Sequence, residues 1–178
     1  MAVDDRRHHR YAGVGSRETP TGVLRSMSAL ASTLEDRGLI LRSGGAPGAD
    51  QAFESGVSNP EAKEIYLPWR LFEFNPSDRY KISQAAFDMA AKYHPAWYRL
   101  SEAARKLHAR NCYQVLGEDL KTPSLFLVCW TRGGLGGGGT GQAIRIARAY
   151  DVPVFDLGLY SYRHVVGEIS YILDGGRL

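Results

Sequence analysis

The sequence predicts a doubly wound α/β fold: a mostly parallel sheet with helices on both faces and a helical insert. Three observations lead there. Short apolar runs alternate with segments of helical period, turn-forming residues follow each run, and the longest glycine-rich turn joins an apolar run to a helix. A length of 178 residues, 44% apolar and 23% charged, suits one domain with a full core.

Residues 1–9 are polar and basic, and adjacent His8 and His9 read as part of a solvated tail ahead of a domain spanning 10–178. RYAGVG (10–15) is the first strand. A helix from Thr21 to Arg37 follows, burying Val23, Met27, Leu30 and Leu34 at helical spacing and stopping at Gly38. LILRS (39–43) is the second strand, residues 48–57 a short helix, and KEIYLPW (63–69) the third strand. An insert of about 68–122 contains two helical stretches, 80–94 and 101–117, and is expected to pack over one end of the sheet as a wall of the site. SLFLVCW (124–130) is the fourth strand, followed by a glycine loop, a helix over 140–150, VPVFDL (152–157) and a closing helix near 162–173.

The glycine loop raises a chemical question. Gly133, Gly134, Gly136, Gly137, Gly138 and Gly139 each cost chain entropy on ordering, so the cluster needs a compensating use. In a parallel α/β sheet, ligands bind beyond the carboxyl ends of the strands. Glycines there let a phosphate approach the backbone, and a following helix offers unpaired N–H groups and a favourable dipole. Gly136 to Gly139 are the expected anion cradle, with the Thr140 hydroxyl at the helix N-cap. GVGSRETPTG (13–22) and SGGAPGAD (43–50) occupy equivalent positions after the first two strands. Arg17 offers bidentate phosphate contact or a surface ion pair. Asp50 is equally suited to a ribose hydroxyl or to capping the short helix.

Other chemistries are excluded by what is missing. There is no GK[ST] phosphate loop, no third glycine of a dinucleotide fingerprint and no zinc-ligand spacing, so neither a cofactor nor a metal is expected. Cys112 and Cys129 form no disulfide framework, and no apolar run reaches membrane-spanning length, which leads to the expectation of a cytoplasmic protein without membrane contact. A net charge of +3 is compatible with phosphorylated small molecules or nucleic acid and demands neither. Trp69, Phe72, Phe74, Trp97 and Tyr98 are available to stack a base, with core or interface packing as the plainer role.

GVGSRETP, SGGAPGADQAFE and GGGGTGQA together resemble the SLOG superfamily of Rossmann-like proteins, which includes DprA (Smf) and the LOG enzymes. The first two segments are similar to DprA elements and the third to the GGxGT element of the LOG branch. LHARN (107–111) and residues 141–157 also have the flavour of small phage and bacterial DprA-like proteins. The resemblance covers roughly residues 10–157. It implies a nucleotide-type ligand surrounded by Gly15, Ser16, Arg17, Ser43, Gly44, Gly45, Asp50 and Gly136 to Thr140. LOG enzymes cleave a nucleotide N-glycosidic bond with a glutamate soon after GGxGT. Here that position holds Gln142, whose amide exchanges no proton but suits hydrogen bonding to a base or ribose.

Three functions compete. One is a binding module for a nucleotide or nucleotide-derived signal, acting as sensor or sequestering protein. Another is a nucleotide N-glycoside hydrolase using Glu18, Asp50 or Glu54, carboxylates equally suited to capping or solvated roles. The third is DprA-like binding of single-stranded DNA, with Arg17, Lys106, Arg110 and Arg132 lining a basic groove. Family analogy adds a homodimer or higher homo-oligomer.

Overall fold

A computed structural model describes residues 9–176. His8 and most of the expected tail lie outside them. Five parallel strands form one sheet in the order β3-β2-β1-β4-β5. They are β1 (Arg10–Gly13), β2 (Ile40–Ser43), β3 (Lys63–Ile65), β4 (Leu127–Cys129) and β5 (Val154–Asp156). Each is shorter than its apolar run, because residues at the run ends leave the ladder to enter loops. Val14 keeps one bond, its N–H donating to the Val128 carbonyl over 3.1 Å.

The period-2 alternation of the strands separates two cores. Tyr11, Leu41, Phe126, Val128 and Phe155 join one core, with Met27, Leu30 and Leu34 of α1 (Thr21–Asp36), Phe53 of α2 (Ala49–Ser55), and Val165 and Ile169 of α6 (Tyr162–Leu173). Ala12, Val14, Leu127 and Cys129 face the other way, onto α3 (Gln84–Tyr93), α4 (Glu102–Leu116) and α5 (Gly138–Ala149). Val23 is only partly buried, since it lies in the first turn of α1 near the rim.

The segment read as an insert supplies two helices of the second layer. Ser83 and Ser101 cap them, accepting from the N–H groups of Ala86 and Ala104. Residues 80–82 therefore fall outside α3 rather than in it. α4 packs against β1, β2 and α5, which lays its length across the sheet. Chain order reverses between β1 and β4, opening a crevice at their carboxyl ends.

A charged clamp ties the first three strands together. Glu64 of β3 accepts from Arg10 of β1 at 2.7 Å and from Arg42 of β2 at 2.9 Å, and Tyr66 donates its hydroxyl to the same carboxylate at 2.9 Å. Burial works to raise the Glu64 pKa, but its arginine partners outweigh that and hold it below the ordinary value of 4.5. A carboxylate depressed in the folded state contributes stability above its unfolded pKa and loses it as pH falls through the folded one. Urea midpoints measured downward from pH 6 should therefore decline below about pH 4.5, and Glu64→Gln should lower the neutral-pH midpoint while flattening that acid slope.

Candidate functional site

Loop geometry at the crevice begins with β1. The Ser16 carbonyl accepts from the Thr19 hydroxyl at 2.7 Å, and the Ser16 hydroxyl accepts from Glu18 N at 3.0 Å. This tight turn leaves Arg17 exposed, and its side chain has no ion-pair partner among the described residues. The loop after β2 is locked against it. Gly48 has φ +88°, and a Cβ there would lie 2.7 Å from the Ser16 carbonyl oxygen. Ser43 donates its hydroxyl to the Gly13 carbonyl at 2.6 Å, pinning the ends of β1 and β2.

Asp50, at the start of α2, is buried and pairs with Arg110 of α4 at 3.3 Å. Arg110 also donates to the Gly44 carbonyl at 2.5 Å, and the guanidinium occupies the space a Gly44 side chain would need. Burial pushes the Asp50 carboxyl up from its ordinary range, while Arg110 and the amides of Ala46 and Gly15 pull it down. Burial likewise lowers Arg110, and Asp50 opposes it.

The glycine tract divides into two halves. Thr131 to Gly136 is tied to the end of β5: Asp156 accepts from Thr131 N at 2.9 Å and Gly158 N at 2.8 Å, and Thr131 Oγ accepts from Gly136 N at 2.9 Å. Gly137 to Gly139 is open, for a Cβ at any of these positions would meet nothing within 4 Å. Gly138 alone of the three has a positive φ, +64°. The N-cap of α5 is Gly137, without a side-chain cap, so Thr140 lies in the first turn and is not the cap expected from sequence. The N–H groups of that first turn have no intrahelical acceptors, and no acidic residue offsets the dipole there.

These parts meet in one cleft of about 320 Å³. Gly15, Ser16, Arg17, Asp50, Gly137, Gly138, Gly139 and Thr140 line it. Ser43, Gly44, Gly45 and Gly136, also expected around the ligand, do not line it. Gln142 does not reach it. The Gln142 side chain is buried, donating to the Ala90 carbonyl at 2.8 Å and accepting from Arg145 at 2.8 Å. Glu54 lies outside, accepting from Asn75, and exposed Glu18 pairs with Arg132 at 2.9 Å.

The insert expected to wall the site does so through a face of α4, whose lining residues, Arg110 apart, were not named from sequence. Ala104, Leu107, His108, Asn111 and Gln114 line the cleft at helical spacing, and Asn111 donates to the Gly139 carbonyl at 3.2 Å. That i, i+3, i+4 pattern was the available signal. Of the four basic residues expected to line a groove, two line this cleft. Arg17 and Arg110 reach the cleft, but Arg110 is neutralised by Asp50, while Lys106 pairs with Glu102 at 3.1 Å and Arg132 with Glu18. None of the five candidate stacking aromatics lines the cleft. Phe72 is core, Trp69 meets it edge-on at 5.1 Å, Trp97 sits under Arg105, and Phe74 and Tyr98 are exposed. Cys112 and Cys129 are free and buried.

His108 has a distinct environment. Its Nδ1 is buried without a partner, and the His94 ring lies 4.6 Å away. Burial, then His94, Arg145 and Arg110, push its pKa down to about 4, so it is neutral at pH 7.

No known family profile matches the chain, and no curated relative is found by sequence. By structure the chain is similar to DNA processing protein A from Helicobacter pylori, a single-stranded-DNA-binding protein. The TM-score is 0.55 at 20% identity, covering 91% of this chain and 73% of that one. The shared property is the fold. No described helix is long and apolar enough to cross a membrane.

Two outcomes follow from the buried groups. Arg110→Ala should destabilise the protein by about 3–5 kcal/mol in urea unfolding, because it leaves the Asp50 carboxylate buried and unpaired. A histidine held low in the folded state is protonated first when unfolded, so its contribution is full above 6.5 and falls as pH drops toward about 4. The His108 ring protons should titrate near about 4 by NMR, and His108→Gln should flatten that part of the stability profile.

Proposed function

We propose that the protein binds a phosphate-bearing, nucleotide-type ligand in the cleft at the β1–β4 crevice. The observation that carries this reading is convergence: unshielded first-turn amides of α5 and Arg17, which has no ion pair among the described residues, line one cavity of about 320 Å³. The volume is at the small end of ligand sites and suits a mononucleotide-sized occupant. The phosphate sits at Gly137 to Thr140 with Arg17 closing over it, and the nucleoside lies along Leu107 and His108.

The reading is capture rather than cleavage. Asp50 is the one carboxylate lining the cleft among the described residues, and it is buried and ion-paired with Arg110. A group so committed is poorly placed to move a proton to a leaving base. Glu18 and Glu54 point elsewhere.

A second reading is favoured by the structural likeness to the single-stranded-DNA-binding protein of H. pylori: the occupant is one nucleotide unit of a strand. The two readings separate by salt. Neutralising several phosphates makes affinity fall steeply with ionic strength, whereas one phosphate in a cleft gives a shallow slope.

Isothermal titration with AMP, GMP, CMP, UMP, ADP-ribose and oligo-dT at two salt concentrations tests both. Saturable binding of a phosphorylated ligand is expected, and Arg17→Ala should weaken it roughly 10- to 100-fold by removing a charge-assisted contact. Silence of the wild-type protein toward all of these probes would remove the proposal.

A further inference from the structure

We propose that Asp156, acting through Thr131, is a positioning residue that sets the shape of the anion cradle without touching the ligand. This rests on the reading of the cleft given above. Asp156 ends β5 and is buried, as is Thr131 beyond β4. Neither lines the cleft. Yet the hydrogen bonds that join them continue through Thr131 Oγ to Gly136 of the glycine loop.

One carboxylate oxygen accepts from Thr131 N at 2.9 Å and Gly158 N at 2.8 Å. The other accepts from the Thr131 hydroxyl in a short bond. That commits the hydroxyl proton to Asp156 and leaves a lone pair of Thr131 Oγ for Gly136 N–H, 2.9 Å away. The donor direction along this relay is fixed at each step by its neighbour. Gly134 N donates to the Thr131 carbonyl at 3.0 Å, and Gly158 is so close to that carbonyl and to Gly134 that a side chain there has no room. The first half of the tract is thus held from behind, while Gly137 to Gly139 face open space. The amides that would meet a phosphate begin one residue after the last pinned one.

Asparagine at 156 breaks this pattern in either orientation of its amide. With the NH2 toward Thr131 Oγ, the hydroxyl proton loses its acceptor. With it reversed, the NH2 confronts two backbone N–H donors. Valine at 131 removes the hydroxyl at nearly constant shape, leaving both Asp156 and Gly136 N without that partner, whereas serine keeps it.

The experiment compares Asp156→Asn, Thr131→Val and Thr131→Ser in the full chain. Each, with the wild type, is titrated with inorganic phosphate and with the panel of AMP, GMP, CMP, UMP, ADP-ribose and oligo-dT, and amide hydrogen exchange is followed at Gly136. Asp156→Asn and Thr131→Val should weaken the phosphorylated probe that the wild type binds by about tenfold or more. Both should speed exchange at Gly136 while the amides of α1 stay protected. Thr131→Ser should rescue both readouts to within about threefold of wild type. If Asp156→Asn fails to fold, the valine and serine variants carry the comparison. Wild-type affinity in folded Thr131→Val overturns the inference and leaves the cleft reading standing. Silence of the wild type toward inorganic phosphate and the whole panel overturns that reading and this inference with it.

Discussion

The contact between Asp50 and Arg110 is the constraint around which the site is arranged. Asp50 belongs to the layer containing α1, α2 and α6, and Arg110 to the layer containing α3, α4 and α5. Their pairing bridges the carboxyl edge of the sheet and fixes the distance between the β2 loop and α4. Because Arg110 also binds the Gly44 carbonyl, the loop cannot drift without breaking the pair. A buried ion pair gains little net stability over a well-packed apolar substitute, since desolvation offsets the attraction. Here it fixes position: α4 is held where its Leu107 and His108 face the loops of β1 and β4.

Electrostatics in the cleft follow from that pairing. With Arg110 matched by Asp50, and Lys106 and Arg132 engaged by their own carboxylates, Arg17 and the α5 amides are left as the positive elements facing the cavity. Among the described residues, Arg17 is thus the one cation lining the cleft without an ion pair. His108 reinforces this, since burial keeps it uncharged at neutral pH and the α4 wall stays apolar and weakly polar.

Much of the layered fold is legible in the sequence because it depends on local periodicity. Strand runs such as SLFLVCW alternate sides, and Met27, Leu30 and Leu34 recur at helical spacing. The glycine-rich loops are legible for the same reason, since glycine before a helix is a local pattern. Facts that depend on distant partners are not. Asp50 reads equally as a cap or a ribose ligand until Arg110, 60 positions on, is seen beside it. Gln142 looks like a ligand residue by its distance from the glycines, but the rotation of α5 turns it toward Ala90 and Arg145. Thr140 misleads as a cap because Gly137 already ends the loop. α4 was readable in principle. Its mixture of alanine, leucine, histidine and asparagine resembles an ordinary half-buried helix face, and only the crevice beside it gives the mixture meaning.

The glycine tract carries a consequence for how this chain can vary. Gly134 is hemmed in by Leu159, so a larger residue there meets a steric objection from the protein itself. Gly137 and Gly139 meet none: neither has a left-handed backbone, and each faces vacant volume. Side chains at those two places are compatible with folding and simply fill the chamber. Architecture and occupancy are therefore governed by separate positions a few residues apart, and a drifting sequence could close the chamber while keeping its scaffold intact.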